Sequence, residues 1–136
     1  ETALPSHPRV RYLGLVPQED VADYTALADV IYYGLYAADG NSRYSSPNAL
    51  FNALAAGKPL LTTDVGEIAR IVRQEACGIV VAEPTPALLA DALARLADPA
   101  VRLPLAENAR RAGETKYHWR VAEETLLCIY RHLLRG

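Results

Sequence analysis

The chain of 136 residues contains no methionine, not even at position 1, and only two cysteines. The missing initial methionine predicts that the chain begins inside a longer protein or after processing, so we expect a fragment. Cys77 and Cys128 are far apart and form no Cys-x-x-Cys pair, which indicates free thiols in a reducing compartment. His7, His118 and His132 are scattered without the spacing of zinc ligands, so no metal site is expected.

The sequence also lacks a strong excess of charge, since its net charge is -2 and its isoelectric point is about 5.9. This balance argues against a dominant electrostatic attraction to nucleic acid or to an anionic membrane. No apolar run approaches the ~20 residues that a membrane span needs, and no signal peptide is visible. We therefore expect a cytoplasmic protein without a nucleic-acid partner. Membrane association through regions outside this chain stays open.

What is present is typical of a globular domain with a sizeable core, because 51% of the residues are hydrophobic and 22% are charged. Apolar segments of strand-like composition alternate with segments of helical periodicity. The strands are predicted at 9–16, 29–36, 59–63 and 78–82. The helices are predicted at 17–28, 47–56, 66–76, 85–97, 99–116 and 119–135. This order predicts an α/β fold, with an open parallel sheet of about four strands, flanking helices and long C-terminal helices, in a single domain over 1–136.

A polar loop at 37–46 runs directly into a predicted helix start, with Ser46 as the N-cap and Pro47 at the first helical position. Ligands of open parallel sheets bind beyond the carboxyl ends of the strands, where this loop is expected to lie. A helix N-terminus offers unpaired amides and a partial positive charge, which suit a phosphate. Ordinary helix capping is the alternative interpretation, and the pattern alone leaves both open.

Polar side chains near this helix start would strengthen such a site. Ser45, Ser46 and Asn48 would add hydrogen bonds, and Arg43 would add a cation unless it is simply solvated. The segment has neither G-x-G-x-x-G nor G-x-x-x-x-G-K-[ST], so neither dinucleotide-binding nor P-loop chemistry is indicated. Lys58 follows a predicted helix end, where a cation favours the helix dipole, and is interpreted as structural.

Five segments appear in a familiar order: RVRYLGLVP, ADVIYYGLY, SSPNALFNALAAGKPLLTTDVGEIARIV, CGIVV and YHWRVAEETLLCIYRHLL. Together they resemble the C-terminal half of a GT-B glycosyltransferase, of the retaining group 1 kind often assigned to family GT4. The resemblance covers nearly the whole chain from Arg9 onward. Its most specific part is the helix that contains AAGKP, together with the Gly-Glu that follows.

The resemblance implies a domain that binds the nucleotide diphosphate of a UDP- or GDP-sugar, Rossmann-like in fold and acting in polysaccharide biosynthesis. The diphosphate would lie at the helix start formed by Ser45, Ser46, Pro47 and Asn48. The base would lie near Val16 and Pro17. Members of this family transfer the sugar to an acceptor held by a separate N-terminal domain. They need no metal and no cofactor beyond the nucleotide-sugar donor.

The chain departs from the family pattern at the donor site. Many members carry two glutamates separated by seven residues, the second of them bound to the ribose hydroxyls. These positions correspond here to Tyr44 and Asn52. A carboxylate accepts hydrogen bonds more strongly than an amide does. Either the donor is held differently or the site has lost its function, so a non-catalytic binding or scaffolding module of the same fold is the alternative. A sugar-nucleotide epimerase is more distant, because its acid/base carboxylates are not evident.

A larger departure is that two strands, which open the family's C-terminal domain, have no counterpart in these 136 residues. We therefore expect the chain alone to be inactive as a transferase. The missing strands would lie between the predicted strands at 9–16 and 29–36. Either these two pair directly or an exposed edge remains, and exposed edges recruit partners. An altered sheet, a strand-paired homodimer and a fragment whose other part is absent are the alternatives.

Aromatic residues cluster around the last predicted helix. Tyr117, Trp119 and Tyr130 lie beside leucines at helical spacing, so we interpret them as packing residues rather than as an acceptor or membrane surface. In the related family this helix crosses back to the N-terminal domain, which implies that part of its apolar face is bare in this chain.

Overall fold

The computed structural model describes residues 7–36 and 40–134. The strands are β1 (Ile31–Tyr33), β2 (Leu60–Thr63) and β3 (Gly78–Val81). The α-helices are α1 (Val21–Leu27), α2 (Asn48–Ala55), α3 (Gly66–Gln74), α4 (Pro86–Ala97), α5 (Pro99–Thr115) and α6 (Trp119–Leu133). Two short 3-10 helices span Gln18–Asp20 and Gly40–Arg43.

The three strands form a parallel sheet in the order β1-β2-β3. The register pairs Ile31 with Leu60 across β1 and β2, and Thr62 with Val80 across β2 and β3. All four residues of the central strand β2 are buried. A parallel strand covered on both faces is expected to be apolar throughout. The α/β fold, the parallel sheet and the long C-terminal helices are confirmed.

The predicted strand at 9–16 is wrong, and the strand predicted at 29–36 is shorter than expected. Residues 9–16 are irregular, and their side chains are mostly exposed, fully so at Leu15. Strand propensity expresses itself only where a neighbouring strand supplies the other half of the ladder. Among the described residues β1 pairs only with β2, so direct pairing between 9–16 and β1 does not occur.

Two hydrophobic clusters flank the sheet. The larger cluster joins α2, α3 and α5 and consists of Leu50, Ala53, Leu54, Leu60, Ile68, Ile71, Val72, Cys77, Ala109 and Ala112. The smaller cluster lies under α4 and consists of Leu61, Val81, Ala92 and Leu96. Helices α2 and α5 approach closely at Gly113, where an added Cβ would lie 2.7 Å from the Leu54 carbonyl oxygen.

Helix α6 does not pack against the described part of the domain. Every residue from Trp119 to Leu133 is exposed, so the packing role predicted for Trp119 and Tyr130 is wrong within this chain. Tyr117, which precedes the helix, does pack, with its ring centroid 6.5 Å from that of Phe51. Among the described residues no apolar surface covers this face of α6. None of the described helices is long and apolar enough to cross a membrane.

Candidate functional site

Three helices begin at the same edge of the sheet. Because the strands are parallel, their carboxyl ends meet at one edge, and each is followed by a connection into α2, α3 or α4. The α4 start is capped by Thr85, whose hydroxyl accepts a hydrogen bond from the Leu88 amide at 3.3 Å. Neither the start of α2 nor that of α3 has a side-chain cap.

The start of α2 differs from the prediction by one residue. The helix begins at Asn48, and Pro47 rather than Ser46 occupies the N-cap position, with φ -69° and ψ 143°. The proline ring fixes φ near the same value in a helix and in extended backbone, so only ψ distinguishes the two positions. Local sequence does not determine that ψ. Since Pro47 has no side-chain acceptor, the first amides of α2 lack the cap that Ser46 was expected to supply.

The structure brings several predicted residues together around this helix start. Ser46 and Asn48 are exposed and Ser45 is half-buried. Within residues 7–36 and 40–134, the side chains of these three residues make no hydrogen bond. Asn52 is half-buried and follows Asn48 by four residues, which places both amides on one face of α2. The polar groups predicted to hold a ligand therefore lie beside an uncapped helix N-terminus.

The predicted residues differ in how they are placed. Arg43 ends the second 3-10 helix and is exposed, and it forms no ion pair within the described part of the chain. Tyr44 is 86% exposed. Val16 and Pro17 belong to the largely exposed segment that precedes α1, where the Pro17 carbonyl accepts a hydrogen bond from Asp20. Helix α1 then packs beside α2, so this segment leads towards the candidate site.

A cavity that the sequence reasoning missed opens at the same edge of the sheet. Its volume is about 410 Å³, and its lining consists of Leu35, Tyr36, Thr63, Val65, Ala82, Glu83, Pro84 and Thr85. None of the predicted site residues lines it. The sequence could have predicted this cavity, because ligand sites of parallel sheets lie at the carboxyl ends of the strands, and this applies to β2 and β3 as well as to β1.

Two buried threonines of β2 hold the connection that leaves β1. Thr62 donates its hydroxyl proton to the Tyr33 carbonyl oxygen at 2.7 Å. The Thr63 hydroxyl donates to the Leu35 carbonyl oxygen at 2.7 Å and accepts from the Leu35 amide at 2.8 Å. The sequence carried a signal for these bonds, namely two adjacent threonines in a predicted strand that is otherwise apolar. A buried hydroxyl requires a hydrogen-bond partner.

Ion pairs surround the start of α3. The Arg70 guanidinium bonds to the Glu67 carboxylate and holds the pKa of Glu67 below its usual value. The Arg73 guanidinium lies 2.5 Å from the Asp64 carboxylate and lowers the pKa of Asp64 in the same way. Both arginines are thus engaged with carboxylates, whereas Arg43 near the start of α2 contacts no carboxylate among the residues that the structure describes.

The sequence family described as glycosyl transferases group 1 matches residues 1–98. The chain is 30% identical over 126 residues to the amylovoran biosynthesis glycosyltransferase AmsK of Erwinia amylovora, covering 91% of this chain and 31% of AmsK. It is 32% identical over 101 residues to the lipopolysaccharide glucosyltransferase WaaG of Escherichia coli, covering 73% of this chain and 25% of WaaG.

Solved structures agree with these sequence relationships. Sucrose-phosphate synthase from Thermosynechococcus elongatus superposes with a TM-score of 0.77 at 28% identity, over 93% of this chain and 31% of that one. A crystal structure of WaaG superposes with a TM-score of 0.65 at 30% identity, over 79% of this chain and 28% of that one. The chain spans about a third of the length of the first curated relatives that it matches. It belongs to the group 1 glycosyltransferases and represents part of a GT-B domain of that family.

Proposed function

We propose that this chain is the donor-binding part of a retaining glycosyltransferase that moves a sugar from a UDP- or GDP-sugar to an acceptor. The acceptor would be held by a separate N-terminal domain. The observation that carries the proposal is the start of α2, an N-terminus of an eight-residue helix without a side-chain cap at the carboxyl edge of a parallel sheet. Backbone amides that have no internal partner and a positive helix end are suited to a diphosphate.

In this proposal each predicted residue has a specific role. Ser45, Ser46 and Asn48 donate hydrogen bonds to the diphosphate, and the unpaired guanidinium of Arg43 balances its charge. Transfer of the sugar leaves negative charge on the departing diphosphate. Fixed donors aimed at that charge stabilise the transition state more than the ground state, without a metal ion.

The nucleoside would be held by weaker interactions. Asn52 would pair with the ribose hydroxyls, and the segment around Val16 and Pro17 would contact the base. An amide makes weaker hydrogen bonds than a carboxylate at the same position. We therefore expect modest donor affinity in this chain and no transfer without the acceptor domain. The free thiols of Cys77 and Cys128 support a reducing, cytoplasmic setting.

The test is a calorimetric titration of the chain with UDP, GDP and ADP. We expect saturable binding of UDP or GDP, and a loss of roughly tenfold in affinity for Ser46→Ala or Asn48→Ala, since each removes a hydrogen bond to a charged group. Thr125→Ala is the matched control, because Thr125 is exposed on α6 and its hydroxyl donates to the Val121 carbonyl of the same helix at 3.0 Å. Absence of binding by all three nucleotides would contradict the proposal.

The cation has its own control. Arg43→Gln and Arg120→Gln remove the same formal charge, from the 3-10 helix before α2 and from α6 respectively. We expect Arg43→Gln to weaken diphosphate binding and to reduce its salt dependence, because counterion screening acts on charge–charge contacts. Arg120→Gln should change neither. Equal effects of the two substitutions would indicate a general effect of net charge.

A non-catalytic binding module of the same fold is the second candidate, favoured by Tyr44 and Asn52 at the positions of the two family glutamates. The two candidates differ in a protein that also contains the acceptor domain. Donor hydrolysis or transfer by that protein would support the enzyme. Saturable binding without turnover, restored to turnover by Asn52→Glu, would support the module.

A homodimer through the open edge of β1 is a further part of the proposal. Within the described residues β1 pairs with β2 on one side only, and unpaired strand edges recruit other chains. Sedimentation over a range of concentrations should then report a dimer. A monomer at every concentration would contradict this assembly and would leave the donor site unaffected.

A further inference from the structure

The connection from β1 to α2 rests on β2 and on the start of α3. Its described parts are 34–36 and 40–47. Near the beginning, the Thr63 hydroxyl bonds to both the amide and the carbonyl of Leu35, at 2.8 and 2.7 Å. Thr63 is only 1% exposed, so water cannot replace either bond. One side chain thereby holds the backbone immediately beyond the end of β1.

Near its end, the same connection lies against Gly66. A Cβ added to Gly66 would overlap the Ser42 carbonyl oxygen and lie 3.4 Å from that of Arg43. Gly66 has φ +71°, a backbone conformation that side-chain-bearing residues rarely adopt. Ser42 is buried at this contact. Both the close approach and the backbone conformation therefore require glycine.

Both contacts precede the candidate ligands in the chain, and the contact of Gly66 with Ser42 and Arg43 directly adjoins them. From Arg43 the chain runs through Ser45 and Ser46 into the start of α2, so any shift at 42–43 is passed on directly. Hydrogen bonds to a charged ligand are sensitive to distance and angle. Groups that are held in place before binding also lose less entropy when the ligand arrives.

We propose that Thr63 and Gly66 are positioning residues for the diphosphate: they do not touch it, but they fix the backbone that carries Arg43, Ser45 and Ser46. This inference rests on the proposed function of the α2 start. It assigns to β2 and α3 a role in donor affinity that their burial alone does not imply, because a purely structural role would change stability and not affinity.

The first test replaces Thr63. Thr63→Val keeps the shape and removes the hydroxyl, whereas Thr63→Ser keeps the hydroxyl. With UDP or GDP as the probe, we expect roughly tenfold weaker binding for Thr63→Val, equivalent to one lost charged hydrogen bond, and recovery of most of the affinity in Thr63→Ser. Affinity is measured well below the unfolding midpoint of each variant. A Thr63→Val variant that is less stable but binds the nucleotide as tightly as the unsubstituted chain would overturn the proposal.

The second test replaces Gly66 and has a matched control. Gly57, which follows the C-terminal end of α2, has φ +62°, and a Cβ added there would lie 3.2 Å from the Cβ of Arg110. Gly66→Ala and Gly57→Ala both place an alanine at positive φ, and only Gly66→Ala meets the Ser42 and Arg43 carbonyls. We expect Gly66→Ala to weaken nucleotide binding about tenfold more than Gly57→Ala. Equal affinities would overturn the proposal. If Thr63→Val does not fold, the comparison of the two glycine variants still tests the proposal.

The outcomes for the unsubstituted chain separate the two proposals. If it binds no nucleoside diphosphate, the proposed function is wrong and this inference is wrong with it. If it binds UDP or GDP and the substitutions at Thr63 and Gly66 leave the affinity unchanged, this inference alone is wrong.

Discussion

The centre of the domain and its two flanks are similarly apolar in sequence but differ in burial. In the centre, all four residues of β2 are buried, and α2, α3 and α5 share one core. In the flanks, segment 7–17 and helix α6 are almost entirely exposed. Leu54 in α2 is 0% exposed, whereas Leu126 in α6 is 46% exposed. Apolar periodicity predicts that one face of a segment can pack against another surface. It does not predict whether the described part of the chain supplies that surface.

The comparison also separates two kinds of stabilisation. Full burial of a leucine contributes about 1.5–3 kcal/mol, and a half-exposed leucine contributes much less. Removing side chains from the centre should therefore unfold the domain, and removing them from the flanks should have little effect. If the flanks instead proved as sensitive as the centre, they would be packed against something in solution.

The largest expected effect is at Leu54. Leu54→Ala should lower the free energy of unfolding by about 2–5 kcal/mol, because it leaves a cavity in the main cluster. Leu126→Ala is the same chemical change on α6 and should cost less than about 0.5 kcal/mol. Denaturant unfolding measures both. A large loss for Leu126→Ala would mean that α6 is covered in solution.

The two cysteines provide a comparison without mutation. Burial raises the pKa of the Cys77 thiol to about 11, whereas Cys128 is exposed on α6. Since the thiolate is the reactive form, Cys77 should react with a thiol reagent at pH 8 at least roughly a hundredfold more slowly than Cys128. A spectroscopic count of reacted thiols over time checks this. If both thiols of the folded chain react at the same fast rate, the core around Cys77 opens readily.

A smaller effect is expected at Gly113, where α5 meets α2. In an isolated helix, alanine is favoured over glycine by about 1 kcal/mol. Here the added Cβ would lie 2.7 Å from the Leu54 carbonyl oxygen, so Gly113→Ala should destabilise the domain by about 1–3 kcal/mol. Gly40→Ala is the control, since nothing lies within 4 Å of its Cβ position. Thermal unfolding of the two variants is the measurement. A higher melting temperature for Gly113→Ala than for Gly40→Ala would contradict the expectation.

The smallest effect concerns the exposed pair of Asp64 and Arg73. The hydrogen bond from Arg73 lowers the pKa of Asp64 below its usual 3.8 in the folded state. A carboxyl with a lowered folded pKa contributes stability above pH 3.8, and that contribution is lost as the pH falls through the folded pKa. The pair is about half exposed, so the contribution is small and salt-screened.

The measurement for this pair is the free energy of unfolding between about pH 5 and pH 2, for the unsubstituted chain and for Arg73→Gln. The unsubstituted chain should lose more stability on acidification, and high salt should remove the difference between the two. A difference that persists in high salt would mean that Arg73 acts through packing.

Local signals predicted the later helices well. Thr85 and Asp98 cap α4 and α5 as their positions before Pro86 and Pro99 suggest, with the Asp98 carboxylate 2.9 Å from the Ala100 amide. Such caps depend on residues a few positions apart, so sequence is sufficient. The strand at 9–16 failed for the opposite reason, because its ladder needs a neighbour that is distant in sequence.

The candidate site was likewise predicted where it depends on local sequence and missed where it depends on contacts between distant segments. The start of α2 was predicted from the polar loop before it, within one residue of its observed place at Asn48, and its role as a phosphate site stays a prediction. The cavity, the Thr63 bonds to Leu35 and the contact of Gly66 with Ser42 were not predicted. Each of these joins segments that are more than twenty residues apart, and no local pattern encodes which backbone groups will meet.

The sequence by itself determined the order of the six α-helices and of the three strands that the structure shows, the parallel α/β class and the identity of the family. These depend on periodicity, capping and motif, which act over a few residues. Only the tertiary structure decided that β1 is the last paired strand among the described residues, that α6 is exposed there, and that Thr63 and Gly66 hold the connection before α2. The physical reason is that a side chain is buried, or a strand paired, only when a second segment packs against it. The sequence of one segment does not specify where that second segment lies.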